Sequence, residues 1–504
     1  MNHPDLTHAT QALQAGDIES AITSIQKASL GPIQPGSLLE WLHLLHQLYY
    51  FKEATELSTP LIRHPDATSE QLLAAAKLFF QTGRFDTAAR LTERAHAISP
   101  EDTDTLVLLA SCLERQNLIS EATQLASKAL VSNPSHARAS RLLAHIERRE
   151  KKFEQAKRRL ATHLHQYPSH DDWRLQYELA SVLDRLGQYP QAMQCLLSAK
   201  ASLETNTPLD AYQSLSQRQW QLTNMFTAEH LNHWFKNSKQ LTPQQNICLM
   251  GGFPRSGTTL LEQILTSHQD CIGTDETGIL FSLFEQALLH DATTATDTMN
   301  ELQSFSADDL SAGRAEYLRC TRSYIDTDTK EQWLIEKEPL LTSSLVIPLR
   351  LFPDAKILIP LRDPRDVVVS YFFTIVPLAA NSAPAIDLGD TCRYYADVMR
   401  HWLHLKQHLP REQWFESRYE DLLADPETQT KQLAEFLAIE WSPTMLQHHQ
   451  NKTNRSISTP TYDDVSKPLY TRAKGRWKHY EQYLAPHLHH LQPYIEAFGY
   501  DTTH

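Results

Sequence analysis

The sequence predicts an all-α helical solenoid followed by an α/β domain with a mostly parallel sheet. Three observations carry that expectation. Bulky residues recur at a near-constant period: Ile18, Phe51, Phe85, Ile119, Phe153 and Tyr189 are separated by 33, 34, 34, 34 and 36 positions. From Ile247 onward, short apolar runs alternate with helical patterns instead. After the first of those runs comes a glycine-bracketed loop, Gly252-Phe-Pro-Arg-Ser-Gly257, that opens a helix. At 504 residues the chain is too long for one core. Three segments are expected: a repeat array over 1–204, a helical junction over 205–245 and an α/β domain over 246–504.

In the array, each bulky residue is followed three positions later by an alanine: Ala21, Ala54, Ala88, Ala122, Ala156 and Ala192. Ala76, Ala110, Ala144 and Ala180 mark the other helix of each pair. Pro100, Pro134 and Pro168 close successive units. Small residues let paired helices approach closely, the bulky neighbour fills the gap, and proline ends the second helix. This 34-residue pattern resembles the tetratricopeptide repeat. The resemblance implies a stack with a concave groove that holds a peptide or protein partner, or else a support for the second domain or a dimer contact. The junction carries helical spacing between Tyr212 and Phe235 and is expected to cap the stack.

In the second domain, strands are expected at residues 247–250, 271–272, 333–335, 355–360 and 414–417. Strand–helix alternation argues for a sheet covered on both faces, with ligands at the carboxyl ends of its strands. Gly252 and Gly257 bracket four residues, as in the phosphate-binding pattern G-x-x-x-x-G-K-[ST]. Thr259 takes the hydroxyl position, but Thr258 replaces the lysine that reaches the outer phosphates of a triphosphate. A P-loop-like cradle without that lysine suits a nucleotide lacking a γ-phosphate. Amides around Ser256, Gly257, Thr258 and Thr259 would face an anion at a helix N-terminus, where the dipole adds roughly 0.3–1 kcal/mol. Arg255 adds a forked cation. The alternative is a strand–turn–helix corner that the threonines merely cap.

A second motif is Arg362-Asp-Pro-Arg-Asp-Val-Val-Val-Ser-Tyr371. Arg362 leaves a strand tip and Ser370 lies two turns into the following helix, so both could close on one phosphate. The alternative pairs Arg362 with Asp366.

Together these segments resemble the sulfotransferase family. The run 253–261 is similar to its 5′-phosphosulfate loop, and 362–371 to its 3′-phosphate strand–helix. The run 418–425 resembles the segment whose tyrosine, here Tyr419, lies by the adenosine. Residues 472–478, Arg-Ala-Lys-Gly-Arg-Trp-Lys, resemble the loop that folds over the 3′-phosphate. Paired with a repeat array, the match resembles bacterial sulfotransferases related to the tyrosylprotein sulfotransferases. It implies 3′-phosphoadenosine 5′-phosphosulfate (PAPS) as co-substrate. It implies Arg255, Ser256, Gly257, Thr258 and Thr259 at the 5′ end, and Arg362, Ser370 and either Arg472 or Lys474 with Gly475 at the 3′ end. Arg476 departs from the pattern, standing where aspartate is frequent.

The resemblance also implies Glu276 as the base for an acceptor hydroxyl, with Asp275 as its rival. Lys337 would stabilise charge on the leaving oxygen; the alternative is a surface ion pair with the flanking Glu336 and Glu338. Pro339 stands where some members carry a histidine. A peptidyl tyrosine fits as acceptor, and a glycan or small molecule stays open. The rest of the acceptor site is expected from loops at 291–315 and 377–388. The rival readings are a nucleotide kinase or NTPase and an interaction scaffold with an inactive transferase half.

The net charge of −13 argues against a nucleic-acid partner. Six scattered cysteines and 25 histidines show no metal-ligand spacing, so no metal is expected. The start of the chain has no signal-peptide pattern and no run reaches membrane-spanning length, which points to a cytoplasmic location.

Overall fold

A computed structural model describes residues 7–9, 11–12, 17–29, 33–169, 172–203, 208–290, 293–327, 332–375, 379–450 and 474–501. The chain divides into two compact units, the first running to Ser169 with Cys320–Thr327 and the second comprising most of the remainder. Among the described residues no helix is long and apolar enough to cross a membrane.

The periodic residues have a common place. Ile18, Phe51, Phe85, Ile119, Phe153 and Tyr189 each open a helix. Ala21, Ala54, Ala88, Ala122, Ala156 and Ala192 are fully buried, as are Ala76, Ala110, Ala144 and Ala180. A second period accompanies the first. Tyr49, Gly83, Asn117, Lys151 and Gly187 all have left-handed backbone, with φ between 60° and 73°. Each lies two residues before a helix start. In every case the next amide reaches back five residues, as from Lys152 to the Glu147 carbonyl at 2.8 Å and from Leu118 to Leu113 at 2.8 Å. That bond satisfies a helix-end carbonyl and turns the chain into the partner helix. Only two of the five residues are glycine, so composition alone does not reveal this period. The last helical pair, Trp173–Arg185 and Tyr189–Ala201, belongs to the second unit.

The second unit is built on five parallel strands, β1 (Ile247–Met250), β2 (Cys271–Gly273), β3 (Trp333–Lys337), β4 (Lys356–Leu361) and β5 (Trp414–Arg418), in the order β2-β3-β1-β4-β5. The register sets Met250 beside Lys337 and Leu358, and Leu361 beside Arg418. The chain leaves β1 toward β2 and later crosses from β3 over β1 to β4. Connections therefore diverge on either side of β1, which opens a crevice at the carboxyl ends. β1 is completely buried, as a central parallel strand requires.

Two expectations are corrected. Residues 291–315 are not a loop: helices Ala295–Ser304 and Ala307–Ile325 occupy most of the stretch. Thr294 and Asp297 form a capping box, and Ser306 is bonded reciprocally with Asp309, while Met299, Leu302 and Leu310 supply buried faces. Their polar surfaces hide that pattern in the sequence. The junction helix Leu209–Met225 lies in the second unit. It packs on helix Leu388–Leu405, with the Tyr212 hydroxyl 2.8 Å from Asp397 and Thr223 2.7 Å from His401. Of the expected 377–388 loop, Ala380–Ile386 is a short 3₁₀ helix and residues 377–378 lie outside the described residues.

Left-handed backbone costs a side chain roughly 1–2 kcal/mol relative to glycine. Lys151→Gly should therefore raise the unfolding free energy by about 0.5–1 kcal/mol, and Lys151→Val should lower it, in urea denaturation.

Candidate functional site

The loop after β1 is shaped by backbone that few residues tolerate. Gly252 and Gly257 both sit at φ 103°, and Arg255 between them is at φ 76°. A Cβ on Gly252 would meet the Pro360 carbonyl at 3.0 Å, and one on Gly257 would meet the Tyr419 ring at 3.1 Å. The loop is pinned from within by Ser256, whose hydroxyl donates to the Phe253 carbonyl at 2.7 Å. It is pinned from outside by Thr342, whose hydroxyl accepts from the Gly252 amide at 2.6 Å and donates to the Gly252 carbonyl at 3.0 Å. Phe253 is buried among Tyr371, Tyr394 and Tyr395 with ring centroids 5.2 Å away. Gly257 then caps helix Thr258–Thr266 without any capping side chain, the arrangement of a candidate anion site. Thr342 had no signal in the sequence, because its role depends on β3 lying next to β1.

Arg255, Ser370 and Arg362 converge. The Arg255 Nε donates to the Ser370 hydroxyl at 3.0 Å, and Arg362 Nη1 donates to the Arg255 carbonyl at 3.2 Å. The Arg362 guanidinium also lies 5.3 Å from the Tyr419 ring centroid. The loop and the strand–helix, expected to serve opposite ends of one ligand, are thus directly bonded. Arg362 also approaches Asp366 at 3.8 Å, the alternative pairing, but Asp366 has closer partners. It accepts from the amides of Gly475 at 2.7 Å and Trp477 at 2.9 Å. Burial raises the Asp366 carboxyl, while Arg362 and those amides oppose the rise. Trp477 is buried beneath Arg365, 4.1 Å from its guanidinium, and packs the loop down. Lys474 is exposed and Gly475 is at φ 74°, and Arg472 lies outside the described residues.

The third group surrounds Lys337 at the tip of β3. Its side chain is fully buried, which excludes a surface ion pair. Its closest partners are not its neighbours in sequence, although its charge opposes the rise of the Glu338 carboxyl. The Lys337 Nζ lies 2.6 Å from Asp275, 3.2 Å from Glu262 and 3.3 Å from Glu276. Burial works against the ammonium, but these carboxylates outweigh it and hold the charge well above the ordinary range. Glu262 comes from the loop helix, where an acid among buried Leu260, Leu261, Ile264 and Leu265 was the available clue. It also accepts the Asp275 amide at 2.9 Å, and burial pushes its carboxyl up to about 7 while Lys337 opposes this.

The pleat sends Glu336 to the other face, where the Tyr317 hydroxyl donates to it at 2.6 Å. Burial pushes Glu336 up to about 7, and burial aided by Glu276 and Glu336 pushes Glu338 up to about 8. Of the two candidate bases, Glu276 has the more open side chain, 34% exposed against 18% for Asp275.

Residues 248–443 match the sulfotransferase family model, and residues 79–146 match the tetratricopeptide repeat. An uncharacterized protein of Aquifex aeolicus is 24% identical over 454 residues, covering 88% of this chain and 57% of that protein; the chain spans little more than half of that relative's length. Protein-tyrosine sulfotransferase 2 of Gallus gallus is 25% identical over 284 residues, 51% of this chain and 69% of that protein. The solved sulfotransferase domain from the curacin biosynthetic pathway is 18% identical, covering 48% of this chain and 99% of that domain with a TM-score of 0.32. The chain carries a sulfotransferase-family domain behind a tetratricopeptide-repeat region.

Thr342→Val removes the partner of the Gly252 amide and should cost about 1–3 kcal/mol of stability in urea unfolding. Glu336 has a folded pKa of about 7 against an ordinary 4.5, so its proton is held more tightly in the native state. Its contribution is full below the unfolded value and is lost as pH rises through about 7. Melting temperatures of Glu336→Gln measured across that window should fall less with rising pH than those of the unaltered protein.

Proposed function

We propose that the second domain transfers a sulfuryl group from PAPS to an acceptor hydroxyl, with a peptidyl tyrosine as the acceptor. The observation that carries this reading is the bonded set Arg255–Ser370–Arg362 at the carboxyl edge, one strand away from the buried Lys337 and its carboxylates. A doubly anionic adenosine nucleotide matches cations on both the loop after β1 and the tip of β4. The absence of the loop lysine at Thr258 disfavours a triphosphate. The tyrosine assignment is supported by relatives named protein-tyrosine sulfotransferases.

In this reading the loop amides and Arg255 hold the 5′ end, and Arg362, Ser370 and the loop at Lys474–Gly475 hold the 3′ end. Tyr419 lies against the adenosine. Glu276 takes the acceptor proton as the acceptor oxygen bonds to sulfur. The bond from sulfur to the nucleotide phosphate oxygen breaks, and Lys337 stabilises the charge that develops there. The Lys337 ammonium already faces Glu276 at 3.3 Å, so base and electrophilic stabiliser share one small volume. Arginines and amides supply charge neutralisation without a metal. The repeat groove supplies a surface for the acceptor protein.

Transfer of labelled sulfate from PAPS to a tyrosine-containing peptide library tests the activity. Titration calorimetry tests the donor: 3′,5′-bisphosphoadenosine should bind more tightly than magnesium ATP, and the reverse order would favour a kinase or NTPase. Arg362→Ala should weaken bisphosphonucleotide binding by about 1.5–3 kcal/mol. Glu276→Gln should retain nucleotide binding and lower turnover about 10²–10⁴-fold. Near-normal turnover would transfer the base role to Asp275.

A further inference from the structure

The segment Gly475–Tyr480 is anchored at both ends, and the second anchor is the last helical pair of the repeat pattern. Asp184, near the end of helix Trp173–Arg185, accepts from Arg476 Nε at 3.1 Å and from the Tyr480 hydroxyl at 2.6 Å. Tyr189, which opens the next helix, stacks on His479 with centroids 4.0 Å apart and planes 8° from parallel. Arg476 further lies 4.4 Å from the Phe373 ring, and Tyr480 packs on the same ring at 5.2 Å. Phe373 is the residue that ends the helix bearing Ser370. From the same helical pair, Lys200 is buried with its ammonium 3.9 Å from the Phe372 ring. At its other end the segment donates the Gly475 and Trp477 amides to Asp366, one turn from both Arg362 and Ser370.

We propose that Asp184 is a positioning residue for the 3′-phosphate half of the nucleotide site, acting through Arg476 and Tyr480 on the loop that grips Asp366. The inference rests on the nucleotide reading given above. It assigns a reason to Arg476, the residue that departs from the family pattern. Its guanidinium is bonded to Asp184, which makes the last helical pair part of the binding apparatus. Two hydrogen bonds converge on one carboxylate, and a guanidinium partner makes one of them charge-assisted. Losing that anchor frees the loop at one end, and Asp366 is then held by amides that no longer have a fixed position. The effect should fall on ligands that carry a 3′-phosphate. A ligand with only a 5′-phosphate depends on the loop after β1, which Asp184 does not touch.

The test compares 3′,5′-bisphosphoadenosine with AMP by titration calorimetry on the full chain, for the unaltered protein, Asp184→Ala, Arg476→Ala, the double variant and Asp184→Asn. Asp184→Ala should weaken the bisphosphate about tenfold, as expected for loss of a charged hydrogen bond, and leave AMP within about twofold. The double variant should be no weaker than the weaker single variant, because both remove one interaction. Asp184→Asn, which keeps an acceptor oxygen, should recover most of the loss. In turnover, the donor KM should rise with kcat within about twofold. Equal weakening of both nucleotides, or none, would overturn the proposal, the former marking a general structural role. If the unaltered protein fails to bind the bisphosphate, the nucleotide reading itself falls and this inference with it. Normal binding that is indifferent to Asp184→Ala rejects this inference alone.

Discussion

The Lys337 ammonium joins three segments that are separate in the sequence. Glu262 arrives from the helix after β1, Asp275 and Glu276 from the exit of β2, and the lysine itself from the end of β3. A lone buried ammonium would be strongly disfavoured, and so would three carboxylates crowded without a cation. Each group is tolerated because the others are present. Removing one partner of such a cluster commonly costs 3–5 kcal/mol, since it strands the remaining charge. The carboxyl edge of the sheet is therefore held by electrostatics that cannot be relaxed one residue at a time, and the candidate base inherits a fixed position from it.

The neighbouring candidate anion cradle follows a different principle. It is made from backbone geometry, with two glycines and Arg255 in left-handed conformations and a threonine from the loop after β3 clamping Gly252. Such a cradle costs strain in the folded state and keeps amides oriented before any ligand arrives. Arg255 and Arg362 are linked through Ser370 and a carbonyl rather than spread apart. A ligand with two phosphate groups would exchange these bonds for charge-assisted ones of its own.

The repeat region shows how one local device, reused, builds a long element. A left-handed residue and a five-residue backbone bond end each first helix, and a bulky residue starts the next. Glycine is convenient at that position but not required, because the bond and the packed alanines offset the cost of a side chain. The last helical pair keeps this device and gives its outer residues, Asp184, Tyr189 and Lys200, to the α/β unit.

Much was legible in the order of residues. The 34-residue period, the edges of β1, the loop glycines and the pairing of Arg362 with Ser370 on one strand–helix all arise from local patterns: helix periodicity, strand burial and turn chemistry act over a few residues. Other features depended on contacts across long sequence separations. The polar stretch 291–315 concealed two helices because their buried faces are matched by partners elsewhere. Glu336 flanks Lys337 in sequence, yet the pleat turns it to the far face, and the Lys337 ammonium meets Glu262 and Asp275. Asp366 approaches Arg362, as the local spacing expects, and it also anchors a loop more than 100 residues away. Local sequence determines which elements form and where the chain turns. Which charges neutralise one another is decided only when strand order brings distant segments within a few ångströms, because a buried charge is paired by proximity in space and not along the chain.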